Sequence, residues 1–260
     1  MIKVSVLMAL NKFDQYTKPS IDSILTQDFS NFEFIIVANN CTDEDFLSIQ
    51  KCCNDKRIRL FRNNIPQLPY SLNFALNEAK GEFIARMDSD DISMSDRFSK
   101  QVEYLERYKD INVLGTSYYT INEDGIITSK VKATKTPERI FAKLPLGTQL
   151  CHPSVMMRRD YILRMGGYCY GFFAEDYDLW LRVIQDSPYC IDNIDDYLLK
   201  YRIHASQATS KKNVIKNKSY NYALLLMNFI QTNRVKFLLG LIWINPVFVG
   251  VKDYIKNKFK

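Results

Sequence analysis

The first ninety residues alternate between short apolar runs and amphipathic stretches with a regularity that few folds accommodate. KVSVLMAL (3–10) reads as a strand, and a helix is predicted over 15–27, with Pro19 tolerated near its start. FEFIIVA (32–38) is a second buried strand, and a helix follows NNCTDED. IRLFR (58–62) is a third strand, 69–79 another helix and 82–87 a fourth strand. Strand and helix in alternation imply a mostly parallel α/β sheet with right-handed crossovers. Such sheets bind ligands outside the carboxyl ends of their strands. Two polar loops fall at that edge, ANNCTD (38–43) and DSDD (88–91).

In the second loop an apolar run stops at Asp88, Asp90 and Asp91, three carboxylates in four positions. Aspartate is a common turn and capping residue, so a turn and a helix start account for them. A divalent cation accounts for them equally, since it relieves the repulsion between close carboxylates. A D-x-D pair arises by chance roughly once per 300 positions, so the pair alone decides nothing. Beyond it, Ser93 and Asp96 form a capping box for the helix DRFSKQVEYLERYK. A hairpin then turns at EDG (123–125).

A second acidic pair opens EDYDLWLRVI. Tyr177, Trp180, Leu181 and Ile184 recur at i, i+3, i+4 and i+7, one apolar helix face. Glu175 and Asp176 start that helix after a loop holding Gly166, Gly167 and Gly171. The helix dipole favours acids there, and a general base at a pocket mouth would sit there too. The only histidines are His152 and His204. His204 follows the predicted strand YLLKYRI; with Asp88 and Asp90 it would give oxygen and nitrogen ligands suited to Mn²⁺ or Mg²⁺ rather than a thiolate zinc site.

At 260 residues the chain can build one large domain, alone or with an extension, and 47% hydrophobic residues exclude general disorder. Cysteines 41, 52, 53, 151, 169 and 190 show no C-x-x-C or zinc-like spacing and read as free thiols. The N-terminus reads as a buried strand rather than a signal peptide, so the expected compartment is the cytosol. The net charge of +6 is concentrated at the other end: residues 210–260 carry ten Lys and Arg against one acid, Asp253, or +9. The remaining 25 basic and 28 acidic groups leave residues 1–209 at −3. No nucleic-acid footprint covers the protein. FLLGLIWINPVFVGV (237–251) is short for a spanning helix. It reads either as an interfacial segment on an anionic cytoplasmic leaflet or as a helix packed on the main domain.

Six stretches in order, VSVLMALN, SIDSILTQDFSNFEFIIV, LNFALNEAKGEFIARMDSDDIS, CHPSVMMRRD, AEDYDLWLR and YRIHASQ, resemble the inverting nucleotide-sugar glycosyltransferases of family 2, with the GT-A fold, in the style of bacterial O-antigen and capsule enzymes. The resemblance covers roughly 2–207. It implies a Rossmann-like, mostly parallel sheet flanked by helices, forming a catalytic domain over 1–209, with 1–92 binding the nucleotide and 93–209 the acceptor. A basic, amphipathic helical extension over 210–260 follows. It implies that Asp88 and Asp90 are the D-x-D pair, Asp90 the more direct ligand, that Asp91 supports the loop, and that His204 is a third contact to metal or diphosphate. Ala9 and Asn39 lie where the family holds uracil and ribose. Asp176 is implied as catalytic base, with Glu175, His152 and Trp180 toward the acceptor in a pocket built from 151–159 and 166–173.

The expected donor is a UDP-hexose, UDP-galactose or UDP-glucose, with Mn²⁺ or Mg²⁺. The expected acceptor is an undecaprenyl-diphosphate-linked sugar at the inner face of the cell membrane. One departure is the Asn39–Asn40 pair, where many relatives carry two acids; Asn39 can still bond a uracil edge but supplies no carboxylate. Two other readings stand beside this one: a non-catalytic sugar-nucleotide or membrane-binding module, and a haloacid-dehalogenase-like phosphatase. Asp91, where the phosphatases carry Thr or Val, argues against the last.

Overall fold

The computed structural model describes residues 2–169, 174–205 and 214–245. The alternation seen in the sequence becomes β1 (Val4–Leu10), α1 (Thr17–Leu25), β2 (Phe32–Asn39), α2 (Asp43–Cys52), β3 (Ile58–Asn63), α3 (Leu68–Glu78) and β4 (Phe83–Arg86). The second half adds β5 (Ile92–Ser93), α4 (Arg97–Arg107), β6 (Val113–Ile121), β7 (Ile127–Val131), α5 (Pro137–Lys143) and β8 (Met156–Arg158). It closes with α6 (Arg159–Arg164), α7 (Glu175–Asp186) and β9 (Ile191–Arg202). Among the described residues one sheet holds every strand, in the order β3-β2-β1-β4-β8-β6-β9-β5, with β7 on β6. Pairing is parallel through β3-β2-β1-β4 and again at β6/β9; β4/β8, β6/β8, β6/β7 and β5/β9 are antiparallel.

The buried runs explain the layering. Every residue of β1, β2 and β4 is buried, as a sheet covered on both faces requires. Because side chains alternate, Leu7, Ala9, Ile35, Val37 and Ile84 join the core beneath α3 and α7. Val6, Met8, Phe34, Ile36 and Phe83 join the opposite core with α1 and α4. The chain leaves β1 toward β2 on one side and reaches β4 on the other. In open α/β sheets that reversal is where a ligand crevice forms, here at the carboxyl ends of β1 and β4.

The sheet crosses the expected boundary at residue 92, since β4 pairs with β8 and β5 with β9, so the two halves share one sheet. The hairpin forms at its expected turn, with Gly125 at φ 81. The capping box does not form. Ser93 pairs in β5 with Leu199 of β9, and its Oγ accepts from Gln27 Nε2 at 3.2 Å. Helix α4 therefore starts at Arg97, with Asp96 as N-cap and no side-chain cap bond.

The C-terminal extension is helical. Helices α8 (Val214–Thr232) and α9 (Val235–Ile244) pack on each other, and α9 rests on the 3-10 turn Leu144–Leu146. Phe237 and Leu241 are buried there, and Gly240 lies so close to the Pro145 carbonyl that a Cβ would collide with it. The end of the 237–251 run and the basic residues after it lie outside the described residues.

Candidate active site

The crevice gathers most of the sequence-predicted site residues. Ala9 is the penultimate residue of β1 and Asn39 the last of β2, in neighbouring, parallel-paired strands. Asn39 is buried, and its side-chain Oδ1 has no hydrogen-bond partner among the described residues. Much of the ANNCTD loop is a helix start: Thr42 caps α2, accepting the Asp45 N–H at 3.1 Å, and Arg62 holds the Cys41 carbonyl at 3.1 Å.

Asp88, Asp90 and Asp91 leave the end of β4 with ligand oxygens that all lie within 4.8 Å of one another. Three groups hold the loop in place. Ser20 Oγ of α1 donates to the Asp88 carbonyl at 2.7 Å. The Arg202 N–H donates to Asp91 Oδ1 and its Nε to the Asp90 carbonyl, each at 2.8 Å. Arg86, 1% exposed, forms an ion pair with Asp88 and donates to the Met87 carbonyl. Asp91 is wholly buried, with its Oδ1 on the Arg202 N–H, while its Oδ2 has no hydrogen-bond partner among the described residues. His204 Nε2 lies 2.8 Å from Asp90 Oδ2, with the ring tilted against Tyr16.

The electrostatics follow from this crowding. Burial, then the Asp88 charge, raises the Asp90 carboxyl, and His204 works against the shift. Burial, with Asp88 and Asp90, raises Asp91 well above the ordinary range. A buried carboxyl is destabilised when ionised unless a cation compensates it. The clustered carboxylate oxygens, with the His204 imidazole against Asp90, fit a hard divalent cation such as Mn²⁺ or Mg²⁺.

The second acidic pair opens α7. Ala174 takes a left-handed conformation (φ 61) and turns the chain into the helix, whose first turn carries Glu175 and Asp176. The Tyr177 N–H donates to Asp176 Oδ1 at 2.7 Å. Burial raises the Asp176 carboxyl, and burial with the Asp176 charge raises Glu175 to about 7. Arg86 lowers both, while Asp88 raises both, so the two acidic pairs lie within electrostatic reach across one guanidinium.

Two residues expected toward the acceptor sit differently. Trp180 is wholly buried on the core face of α7, where Tyr177, Leu181 and Ile184 also pack, so it supports the helix rather than lining a pocket. His152 is half-buried; its Nε2 lies 2.9 Å from the Tyr168 hydroxyl, and burial together with Arg86 pushes its pKa well below the usual histidine range. Tyr168 is in turn clamped by Asn73 of α3, which receives its N–H at 2.9 Å and donates to its carbonyl at 2.8 Å. Residues 170–173 of the expected acceptor loop, Gly171 included, lie outside the described residues. Sequence reasoning missed Arg86, Arg202, Ser20 and Asn73. Only Arg86 left a signal, a charge inside the apolar run EFIARM.

The model of the family described as Glycosyl transferase family 2 matches residues 5–166. The chain belongs to glycosyl transferase family 2. It is 39% identical over 229 residues to the O-antigen biosynthesis glycosyltransferase WbnJ of Escherichia coli, covering 85% of this chain and 87% of the relative. It is 25% identical over 256 residues to an Escherichia coli relative, the UDP-Glc:alpha-D-GlcNAc-diphosphoundecaprenol beta-1,3-glucosyltransferase WfgD, covering 96% of this chain and 94% of the relative. Among solved structures, the mannosyltransferase PcManGT of Pyrobaculum calidifontis, in complex with GDP-Man and Mn²⁺, superposes with a TM-score of 0.67 at 14% identity, over 96% of this chain and 75% of that one. The fold is GT-A, and the enzyme is a glycosyltransferase.

Proposed function

We propose that this glycosyltransferase moves one hexose, from UDP-galactose or UDP-glucose, to a lipid-linked saccharide during O-antigen or capsule assembly, inverting the anomeric centre. The observation that carries this reading is the cluster of Asp88, Asp90 and Asp91 at the end of β4, whose ligand oxygens lie within 4.8 Å of one another. The relatives' names support the pathway, and the one that acts on a diphosphoundecaprenol-linked sugar supports the acceptor class. Such an acceptor places the work at the inner face of the cell membrane. In this reading residues 1–92 bind the nucleotide, 93–209 face the acceptor, and 210–260 form the extension.

Ala9 and Asn39 receive the base and ribose, the unsatisfied Asn39 Oδ1 accepting the uracil N3–H. Asp88, Asp90 and His204 hold the divalent cation, with Asp91 fixing their loop. A bound Mn²⁺ or Mg²⁺ supplies Lewis-acid neutralisation of the diphosphate leaving group. Asp176 takes the acceptor hydroxyl proton as that oxygen attacks the anomeric carbon from the face opposite the diphosphate. The carbon–oxygen bond to the nucleotide breaks with its electron pair leaving on UDP, so an α-linked donor yields a β-glycoside. Glu175 orients the acceptor beside the base, and His152, neutral behind Tyr168, lies at the edge of the acceptor side.

Asp176→Asn tests the assignment. It keeps the shape and loses the base, so transfer falls by at least ~100-fold while donor affinity stays within a few fold, consistent with the usual weight of general base catalysis. Unchanged turnover would move the base elsewhere.

A further inference from the structure

Helix α9 is apolar on two opposite faces. Phe237, Gly240, Leu241 and Ile244 recur at i, i+3, i+4 and i+7 and turn into the protein. Val235, Leu238, Leu239, Ile242 and Trp243 recur at i, i+3, i+4, i+7 and i+8 and turn outward, from 40% to 64% exposed. Leu226, Met227 and Ile230 of α8 are exposed as well, Ile230 at 66%. Eight of the 17 exposed large hydrophobic residues among the described residues thus lie in α8 and α9. Isolated exposed apolar side chains need no explanation, but a concentration of this kind marks an interaction surface.

We propose that this outward face docks the enzyme on an anionic phospholipid bilayer. The proposal deepens the reading of a lipid-linked acceptor, but its observations stand without that reading. The charge selects the partner: residues 210–260 carry +9, which an anionic leaflet attracts and which a second copy of the chain would repel. The length selects the mode. No helix among the described residues is long and apolar enough to cross a membrane. Ten residues of α9 span ~15 Å against a hydrocarbon core of ~30 Å, so the helix lies in the interface. Trp243, 57% exposed at its end, suits the headgroup level.

The docked face also connects to the chemistry. The Tyr177 hydroxyl, one residue past Asp176, donates to the Leu144 carbonyl at 2.8 Å. The next residue of that 3-10 turn, Pro145, carries the carbonyl on which Gly240 of α9 packs. Helix α9 and the helix that presents Glu175 and Asp176 therefore both contact the same 3-10 turn. A membrane-embedded acceptor would meet those carboxylates from a fixed height.

The test uses the full chain, with vesicles of phosphatidylcholine alone and of phosphatidylcholine mixed with phosphatidylglycerol. The wild-type protein is expected to sediment with the mixed vesicles, less so at high salt. Its tryptophan emission is expected to shift to the blue; Trp180 is already wholly buried, so the shift reports Trp243. The triple variant Leu239→Ser, Ile242→Ser, Trp243→Ser is expected to bind at least ~10-fold more weakly, as loss of three interfacial side chains implies, with its melting temperature unchanged. Three results overturn the proposal: equal binding by the variant, indifference of the wild type to both vesicles, or a wild-type dimer that the variant dissolves without any vesicle binding. Failure of the donor reading would show in nucleotide binding and leave these measurements untouched.

Discussion

Glu175 and Asp176 share one turn of α7, where burial and the Asp176 charge bring the Glu175 carboxyl to about 7. The linkage has a definite sign. The folded state holds the Glu175 proton over the window from the ordinary glutamate range to about 7, whereas the unfolded chain has released it. In metal-free buffer stability therefore declines as pH rises through that window, and Glu175→Gln flattens the decline; an unchanged slope in melting temperature against pH would remove Glu175 as its source. The acidic residues were legible in the sequence because carboxylates gathered at a strand end and a helix start stand out from their surroundings. Arg86 left only the signal of a charge inside an apolar run, and its role shows only in its burial against Asp88. Trp180 misled in the other direction. Its periodicity placed it on the packed face of α7, and the core there leaves it no route to an acceptor.

At the scale of elements, β1 to β4 and their helices were readable because both faces of the sheet are covered and the apolar runs are continuous. Ser93 shows where local reading stops: its capping signature was overridden by strand pairing with Leu199, a contact more than a hundred residues away. The extension was half-readable. Its sequence offered packing on the domain or contact with a membrane, and α9 has one apolar face buried on the domain and another exposed. The inner face depends on a close approach, so Gly240→Ala forces its Cβ against the Pro145 carbonyl. The expected cost is ~1–3 kcal/mol, the usual range for overpacking, read as a lower melting temperature. An unaltered melting temperature would mean that α9 is not seated on the 3-10 turn.

Across the whole molecule, charge and topology divide the labour. The sheet brings the ends of β1, β2 and β4 to one edge, and the negative charge of residues 1–209 includes the carboxylates gathered there. By sequence the +9 belongs to residues 210–260, whereas residues 1–209, which carry the acidic cluster, sum to −3. In the proposed function this crevice binds a nucleotide sugar through a divalent cation. Its most direct test is the melting temperature of the purified chain with UDP, GDP, UDP-galactose and UDP-glucose, each with Mn²⁺ and with EDTA. A ligand bound only by the folded state raises the midpoint by mass action, so no acceptor is needed. The expected result is a rise with UDP and one UDP-hexose in Mn²⁺ that EDTA abolishes. No rise with any nucleotide, with or without the metal, would contradict it and leave Asp88, Asp90 and Asp91 as a turn.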